Sequence, residues 1–99
     1  MKKNMGLKDD ANKLRYDLIP PEGIEAIAEI LTYGSKKYKE NSWKNVEIDR
    51  YYAALIRHLF AWRKGEKKDL ESGFKHLKHV LCNAMFLLYL DKEKNEIIK

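Results

Sequence analysis

The chain has 99 residues, of which 44% are hydrophobic and 35% are charged, and its formal net charge is +5. With only two prolines and five glycines, this composition excludes a disordered or low-complexity chain and suits one folded domain. The positive charge favours polyanionic partners, namely nucleic acid, an anionic membrane surface or a phosphorylated ligand.

We expect a single domain over residues 1–99, with a polar, basic N-terminal arm at 1–19 and a helical core at 20–92. The N-terminus lacks the apolar run of a signal peptide, and the apolar stretch 80–90 is too short to span a bilayer. The one cysteine, Cys82, agrees with a reducing compartment, so a cytoplasmic protein is expected. Because so short a chain buries a modest fraction of its surface, we also expect a homo-oligomer.

The first predicted helix covers 21–33 and begins at Pro20-Pro21, since proline fits the first turn of a helix. Gly34 is its expected C-cap. The predicted core face is Ile24, Ile27, Ala28 and Leu31. The opposite face carries Glu22, Glu25 and Glu29. This acidic stripe is either a solvated face or a platform for a divalent cation.

Lysines alternate with aromatic residues in the loop predicted at 34–49. Lysine neutralises phosphate, and a flat ring offers a surface on which a nucleotide base stacks. The candidates for nucleotide binding in this loop are Lys36, Lys37, Tyr38, Asn41 and Trp43. The alternative is an ordinary lysine-rich surface loop, in which Trp43 plugs the core where the loop folds back.

The second predicted helix begins at residue 48 or 49 and continues to 64, where Gly65 ends it. Its apolar face is Tyr52, Leu55, Ile56, Leu59 and Trp62. Arg57 lies on a second face made of alanines, flanked by His58. Because an unpaired guanidinium inside a protein is costly, Arg57 requires either a carboxylate on another helix or the phosphate of a ligand.

The third predicted helix has Asp69 as its N-cap and continues to about Lys92. One face carries a polar stripe of Ser72, His76, His79 and Asn83. The other face is Leu70, Phe74, Leu77, Leu81, Ala84 and Leu88. From Val80 onward no side of this helix is polar enough to face solvent. The polar atoms of the stripe therefore either form hydrogen bonds with each other and with the rest of the protein, or bind a ligand. Three helices and no convincing strand predict an all-α bundle.

Short motifs in both halves of the chain form one recognisable set. The first half contributes Tyr16-Asp17-Leu18-Ile19-Pro20-Pro21-Glu22, Tyr33-Gly34-Ser35-Lys36-Lys37-Tyr38 and Asn41-Ser42-Trp43. The second half contributes Tyr51, Ala54, Arg57-His58-Leu59, Ala61-Trp62, Gly65-Glu66, Asp69, Glu71-Ser72-Gly73, His76-Leu77, His79 and Asn83. Together these motifs resemble a phage-associated family of dATP/dGTP diphosphohydrolase N-terminal domains, and the resemblance covers about residues 13 to 90.

This family is similar to the MazG-like all-α nucleotide pyrophosphohydrolases, and the resemblance implies hydrolysis of a nucleoside triphosphate at its α-phosphorus. It implies Mg²⁺ or Mn²⁺ as the cofactor of the enzyme. The implied metal ligands are Glu22, Glu25, Glu66 and Asp69, although Glu22 lacks the adjacent glutamate that is usual there. The implied catalytic residues are His76, His79 and Arg57, and His58 and Asn83 join the nucleotide-binding set.

Three other interpretations remain open. A catalytically inactive sponge would sequester an immune-signalling nucleotide, and the basic aromatic loop with the histidine stripe suits such anion capture. A nucleic-acid-binding bundle rests on charge alone, and the scattered basic residues argue against it. A zinc site would use His58, His76 and His79, although no cysteine pair or His-Glu-x-x-His motif accompanies them.

Overall fold

The computed structural model describes residues 11–98, with side chains to residue 91, and this part contains three α-helices and no strand. Helix α1 spans Pro21–Lys37, α2 spans Ile48–Arg63 and α3 spans His76–Ile98. Short 3-10 helices lie at Tyr16–Leu18 and Ser42–Asn45. The predicted all-α bundle is confirmed, while residues 1–10 of the predicted arm lie outside the described range. None of the helices in that range combines the length and apolar character that crossing a bilayer requires.

Helix α3 is the centre of the bundle, because α1 and α2 both pack against it and not against each other. The core cluster consists of the buried side chains Ile30, Cys82 and Phe86. Around it pack Ile27, Leu31, Trp43, Tyr51, Phe74 and Met85. Because α1 and α2 share α3 as a partner without contacting each other, a space remains between them.

Helices α1 and α2 begin where the sequence predicts, but α1 ends later. Helix α1 begins at Pro21 and passes through Gly34 to Lys37, so the expected C-cap at Gly34 is wrong. The Tyr38 amide donates to the carbonyl of Gly34 at 2.8 Å, and two lysines in the last turn suit the negative end of the helix dipole. Helix α2 ends at Arg63, and Gly65 takes a φ of 109°, a conformation that favours glycine.

Helix α3 begins at His76, so the predicted N-cap at Asp69 is wrong. Residues 67–76 instead form a compact loop, in which the Asp69 amide donates to the carbonyl of Phe74 at 2.8 Å. The His76 amide in turn donates to the carbonyl of Lys67 at 2.8 Å. Gly73, with a φ of 80°, makes the reversal possible. The helix also continues beyond Lys92 to Ile98.

The core faces predicted from periodicity are only partly right. Helix α1 buries Ala26 and Ile30, whereas Ile24 is 59% exposed. Helix α3 is not buried on both faces within this chain, since Leu88 is 73% exposed. The predicted core residues that the structure exposes are Ile24, Ala28, Tyr52, Trp62, Leu70, Leu77, Leu81, Ala84 and Leu88. Nothing here tests the predicted homo-oligomer, which stays a prediction.

Cys82 provides a simple test of the core. Its side chain is 1% exposed, and burial raises the pKa of the thiol to about 12. Because the thiolate is the reactive species, we expect negligible labelling by a maleimide at neutral pH in the folded protein and complete labelling in urea. Mass spectrometry after timed quenching measures both rates. Fast labelling without urea would contradict the burial of this thiol.

Candidate functional site

A cavity of about 750 Å³ lies between α1 and α2, over the surface of α3. Its walls are the last turns of α1, the connection to α2 and one face of α2, while α3 contributes His79 and Phe86. The cavity exists because α1 and α2 pack on α3 without contacting each other. Its volume falls in the range of small-molecule binding sites.

Two arginines of α2 supply positive charge to this cavity. Arg50, Ala54 and Arg57 all line it, and their spacing of four and three residues places them on one helix face. Neither guanidinium forms an ion pair with another described residue. Arg57 is exposed rather than buried, so the carboxylate partner considered from the sequence is not found in the described part of the chain. An anionic ligand can therefore use both cations.

Trp43 is both part of the core and part of the cavity wall. Its ring stacks on Phe86, with ring centroids 4.6 Å apart, and meets the ring of Tyr89 edge-on at 5.2 Å. The Tyr51 hydroxyl donates a hydrogen bond to the carbonyl of Trp43 at 2.8 Å. Trp43, Tyr51 and Tyr38 all line the cavity. The two sequence-based interpretations of Trp43 are therefore compatible, because the residue that packs on the core also lines the cavity.

The other predicted residues of the loop divide between the cavity and the surface. Asn41 lines the cavity in the left-handed backbone region, with a φ of 64°. Lys37 forms an ion pair with Glu71 at 2.5 Å, and this contact raises the pKa of the lysine. Lys36 is exposed. Neither lysine lines the cavity, and Lys39 does so instead.

The three histidines gather next to the cavity where α2 meets the start of α3. The Nδ1 atoms of His58 and His76 are 2.8 Å apart, and His76 Nε2 lies 2.6 Å from Glu66 Oε2. The ring of His79 stacks on that of His58, with centroids 4.4 Å apart and an interplanar angle of 7°. His76 is 3% exposed, and among the three histidines only His79 lines the cavity.

The loop before α3 completes this histidine cluster. The Ser72 amide donates to Asp69 Oδ2 at 2.8 Å, and the Ser72 hydroxyl lies 2.7 Å from His79 Nε2. Ser72 thus meets His79 as the predicted stripe required, although Ser72 is in a loop and not on the helix. Asn83, one turn beyond His79, is buried, and its carboxamide has no hydrogen-bond partner among the described residues.

Burial and neighbouring groups determine the protonation of the cluster. Burial, together with the adjacent His79, lowers the pKa of His58 to about 4. Burial also lowers the pKa of His79. Burial raises the pKa of the Asp69 carboxyl, but hydrogen bonds from Ser72 outweigh the effect of burial. The pKa of this carboxyl is therefore lowered. At neutral pH His58 and His79 are therefore neutral imidazoles beside an ionised Asp69.

The four carboxylates predicted as metal ligands do not come together. Glu66 and Asp69 belong to the histidine cluster, whereas Glu22 and Glu25 line a separate, shallow depression at the start of α1. In the described residues, the set of side chains that can hold a metal ion is His58, Asp69 and His76, whose ligand atoms lie within 4.8 Å of one another. This set has two nitrogen donors, so it does not match the all-oxygen site that the carboxylates predicted.

Several functional positions escaped the sequence analysis. Arg50 and Tyr51 line the cavity, yet neither was among the predicted site residues. A signal for Arg50 was present, because Arg50 precedes Arg57 by seven residues and so shares its helix face. Tyr51 is one of the motif residues that carry the family resemblance, but its position beside Phe86 depends on how α2 packs on α3.

The fold and the site together define a small all-α domain with a basic, aromatic-lined cavity beside a histidine and carboxylate cluster. The chain belongs to the family described as dATP/dGTP diphosphohydrolase, N-terminal, which matches residues 3–99. A dATP/dGTP diphosphohydrolase of Salmonella phage PMBT28 is 33% identical over 85 residues, which is 86% of this chain. The match spans only 29% of that phage protein. No solved structure shows a significant match.

Proposed function

We propose that the chain binds a purine deoxynucleoside triphosphate in the cavity between α1 and α2 and hydrolyses it to the monophosphate and pyrophosphate. The observation that carries this proposal is one cavity of about 750 Å³ that combines aromatic walls with Arg50 and Arg57, neither of which has an ion-pair partner among the described residues. The name of the phage relative, a dATP/dGTP diphosphohydrolase, supports the same class of substrate. We place the reaction in the cytoplasm of a phage-infected host.

In this proposal the base stacks on Trp43 while Arg50 and Arg57 bind the phosphates. The neutral imidazole of His79 lines the cavity and accepts a proton from the attacking water. The water oxygen forms a bond to the α-phosphorus, and the bond to the bridging oxygen breaks, so that pyrophosphate leaves with the bonding electrons. Mg²⁺ or Mn²⁺ accompanies the triphosphate and neutralises part of its charge.

The test is a product assay with the purified chain. We expect dATP or dGTP to yield monophosphate and pyrophosphate in the presence of Mg²⁺ or Mn²⁺, and not in EDTA, when denatured samples are separated by ion-pair chromatography. The variant His79→Gln is expected to lower the turnover rate with little change in nucleotide affinity, because it removes the proton acceptor and not the arginines. If all dNTPs remain intact with either metal, the hydrolase proposal fails.

A second candidate is sequestration of an immune-signalling nucleotide without catalysis. Among the described residues that line the cavity, Glu40 is the one carboxylate, so the cavity itself provides cations and rings rather than metal ligands. Such a sponge binds its nucleotide in EDTA as well as in metal, and denaturation releases the ligand unchanged. Conversion of the ligand in the assay above would exclude this alternative.

A further inference from the structure

The histidine cluster contains a set of metal donors that differs from the set implied by the family resemblance. His58 and His76 belong to α2 and α3, and Asp69 belongs to the loop between them, so three separate segments converge on one point. Their ligand atoms lie within 4.8 Å of one another. These donors come together only when the chain folds. A row of carboxylates along one helix, in contrast, needs the helix alone.

Glu66 orients the imidazole of His76 for metal binding. A carboxylate is an acceptor only, so the contact of 2.6 Å between His76 Nε2 and Glu66 Oε2 places a proton on Nε2. The neutral ring then has its lone pair on Nδ1, the atom that faces His58. Histidine ligands of metals usually donate their other ring N–H to a carboxylate in this way.

The distance between the two imidazoles is close to that of two ligands on one ion. The Nδ1 atoms are 2.8 Å apart and share one proton in a hydrogen bond. Two nitrogens bound to a tetrahedral zinc ion are about 3.3 Å apart, so a shift of about 0.5 Å lets a metal take the place of that proton. Asp69 accepts a hydrogen bond from the Ser72 amide on Oδ2 at 2.8 Å, and its carboxylate lies within 4.8 Å of the two imidazoles as the third ligand.

The donor types select the class of metal. Mg²⁺ prefers oxygen ligands in an octahedral arrangement, whereas imidazole nitrogen suits Zn²⁺ and other late first-row ions. Three protein ligands also leave coordination positions open, as in catalytic rather than structural zinc sites. The ring of His79 stacks on that of His58, and His79 lines the cavity, so the donor set is one ring away from a cavity-lining residue.

We propose that His58, His76 and Asp69 form a binding site for one Zn²⁺-like transition-metal ion, with Glu66 as the positioning residue of His76. The site goes beyond the proposed hydrolysis, because it binds the metal in the absence of nucleotide. Metal binding requires the His58 proton to move from Nδ1 to Nε2, so that both rings stay neutral imidazoles and both Nδ1 lone pairs face the metal.

The experiment uses the full chain, expressed without a histidine tag and freed of metal by EDTA. We expect equilibrium dialysis followed by elemental analysis to give one Zn²⁺ per chain, also with excess Mg²⁺ present. Co²⁺ as a spectroscopic probe is expected to produce the visible absorption of a low-coordinate nitrogen-ligated ion. Loss of Zn²⁺ to excess Mg²⁺, or binding well below one ion per chain, would overturn the site.

Variants separate this site from adventitious binding. His58→Asn and Asp69→Asn are expected to lose one-to-one Zn²⁺ binding, and Glu66→Gln to weaken it about 10- to 100-fold. The matched control Asp49→Asn removes an exposed carboxylate at the start of α2 and is expected to bind as the parent does. Circular dichroism verifies that each variant is folded, and Asp69→Asn keeps an acceptor for the Ser72 amide. Parent-like binding by both ligand variants would contradict the inference.

The outcomes of this experiment and of the product assay are independent. Hydrolysis of dNTPs by a chain that does not bind Zn²⁺ would overturn the metal site and leave the proposed function in place. Stoichiometric Zn²⁺ binding by a chain that leaves all nucleotides intact would support the metal site and overturn the hydrolase.

Discussion

Replacement of Arg57 by alanine (Arg57→Ala) is expected to weaken the binding of dATP or dGTP about 10- to 100-fold, because a hydrogen bond to a charged phosphate contributes about 1.5–3 kcal/mol. Arg57 lines the cavity and has no ion-pair partner among the described residues, so its removal leaves no stranded charge in the protein. Isothermal titration calorimetry in EDTA measures the affinity without turnover.

The matched control for this prediction is Arg63→Ala. Arg63 is on the same helix, is exposed and does not line the cavity, so its removal changes the net charge equally. We expect a change in affinity of less than about threefold, since exposed charges at this distance are screened by salt. An equal loss in both variants would show that overall charge, and not the cavity, holds the nucleotide. Unchanged affinity in Arg57→Ala would place the phosphates elsewhere.

The variant Phe86→Ala is expected to lower the free energy of unfolding by about 3–5 kcal/mol, the usual cost of removing a buried aromatic ring. Phe86 is 8% exposed and contacts the rings of both Trp43 and Tyr51 at centroid distances of 4.6 Å. Because a small domain has a total stability of only about 5–15 kcal/mol, this loss is a large fraction of the whole. Urea unfolding followed by circular dichroism measures it.

Phe60→Ala provides the comparison for this loss. Phe60 is on α2 and is 62% exposed, so the same chemical change removes little buried surface. We expect the unfolding free energy of this variant to lie within about 0.5 kcal/mol of the parent. Similar losses in the two variants would contradict the central position of Phe86 in the core. A large loss in Phe60→Ala alone would indicate that a second copy of the chain covers the exposed apolar side of the bundle.

The cavity and the core are physically linked through Trp43. Its ring packs on Phe86, and Trp43 also lines the cavity, so the aromatic wall is preorganised before a nucleotide arrives. Preorganisation of this kind reduces the entropy that binding would otherwise lose. The same link means that core variants such as Phe86→Ala affect the cavity, whereas cavity variants such as Arg57→Ala leave the core intact.

The sequence could identify single residues of the site but not the sets in which they act. Arg57 and the histidines stood out because polar groups in apolar helices need partners, and that physical rule does not depend on topology. The grouping of the four carboxylates into one site was implied by the family resemblance and not by distances between them. The structure instead places Glu22 and Glu25 in a depression at the start of α1, whereas Glu66 contacts His76 and Asp69 lies beside His58 and His76.

What the sequence determined by itself is the all-α class, the positions of α1 and α2 to within a turn, and the polar character of the face of α3 that carries His76 and His79. Those features follow from local rules, namely helical periodicity, proline at the helix start and glycine after the helix end. Only the tertiary structure decided that α3 begins at His76, that a loop returns Ser72 to His79, and that α1 and α2 leave a cavity between them. The reason is that these features depend on contacts between segments far apart in the chain, which no local pattern of residues encodes.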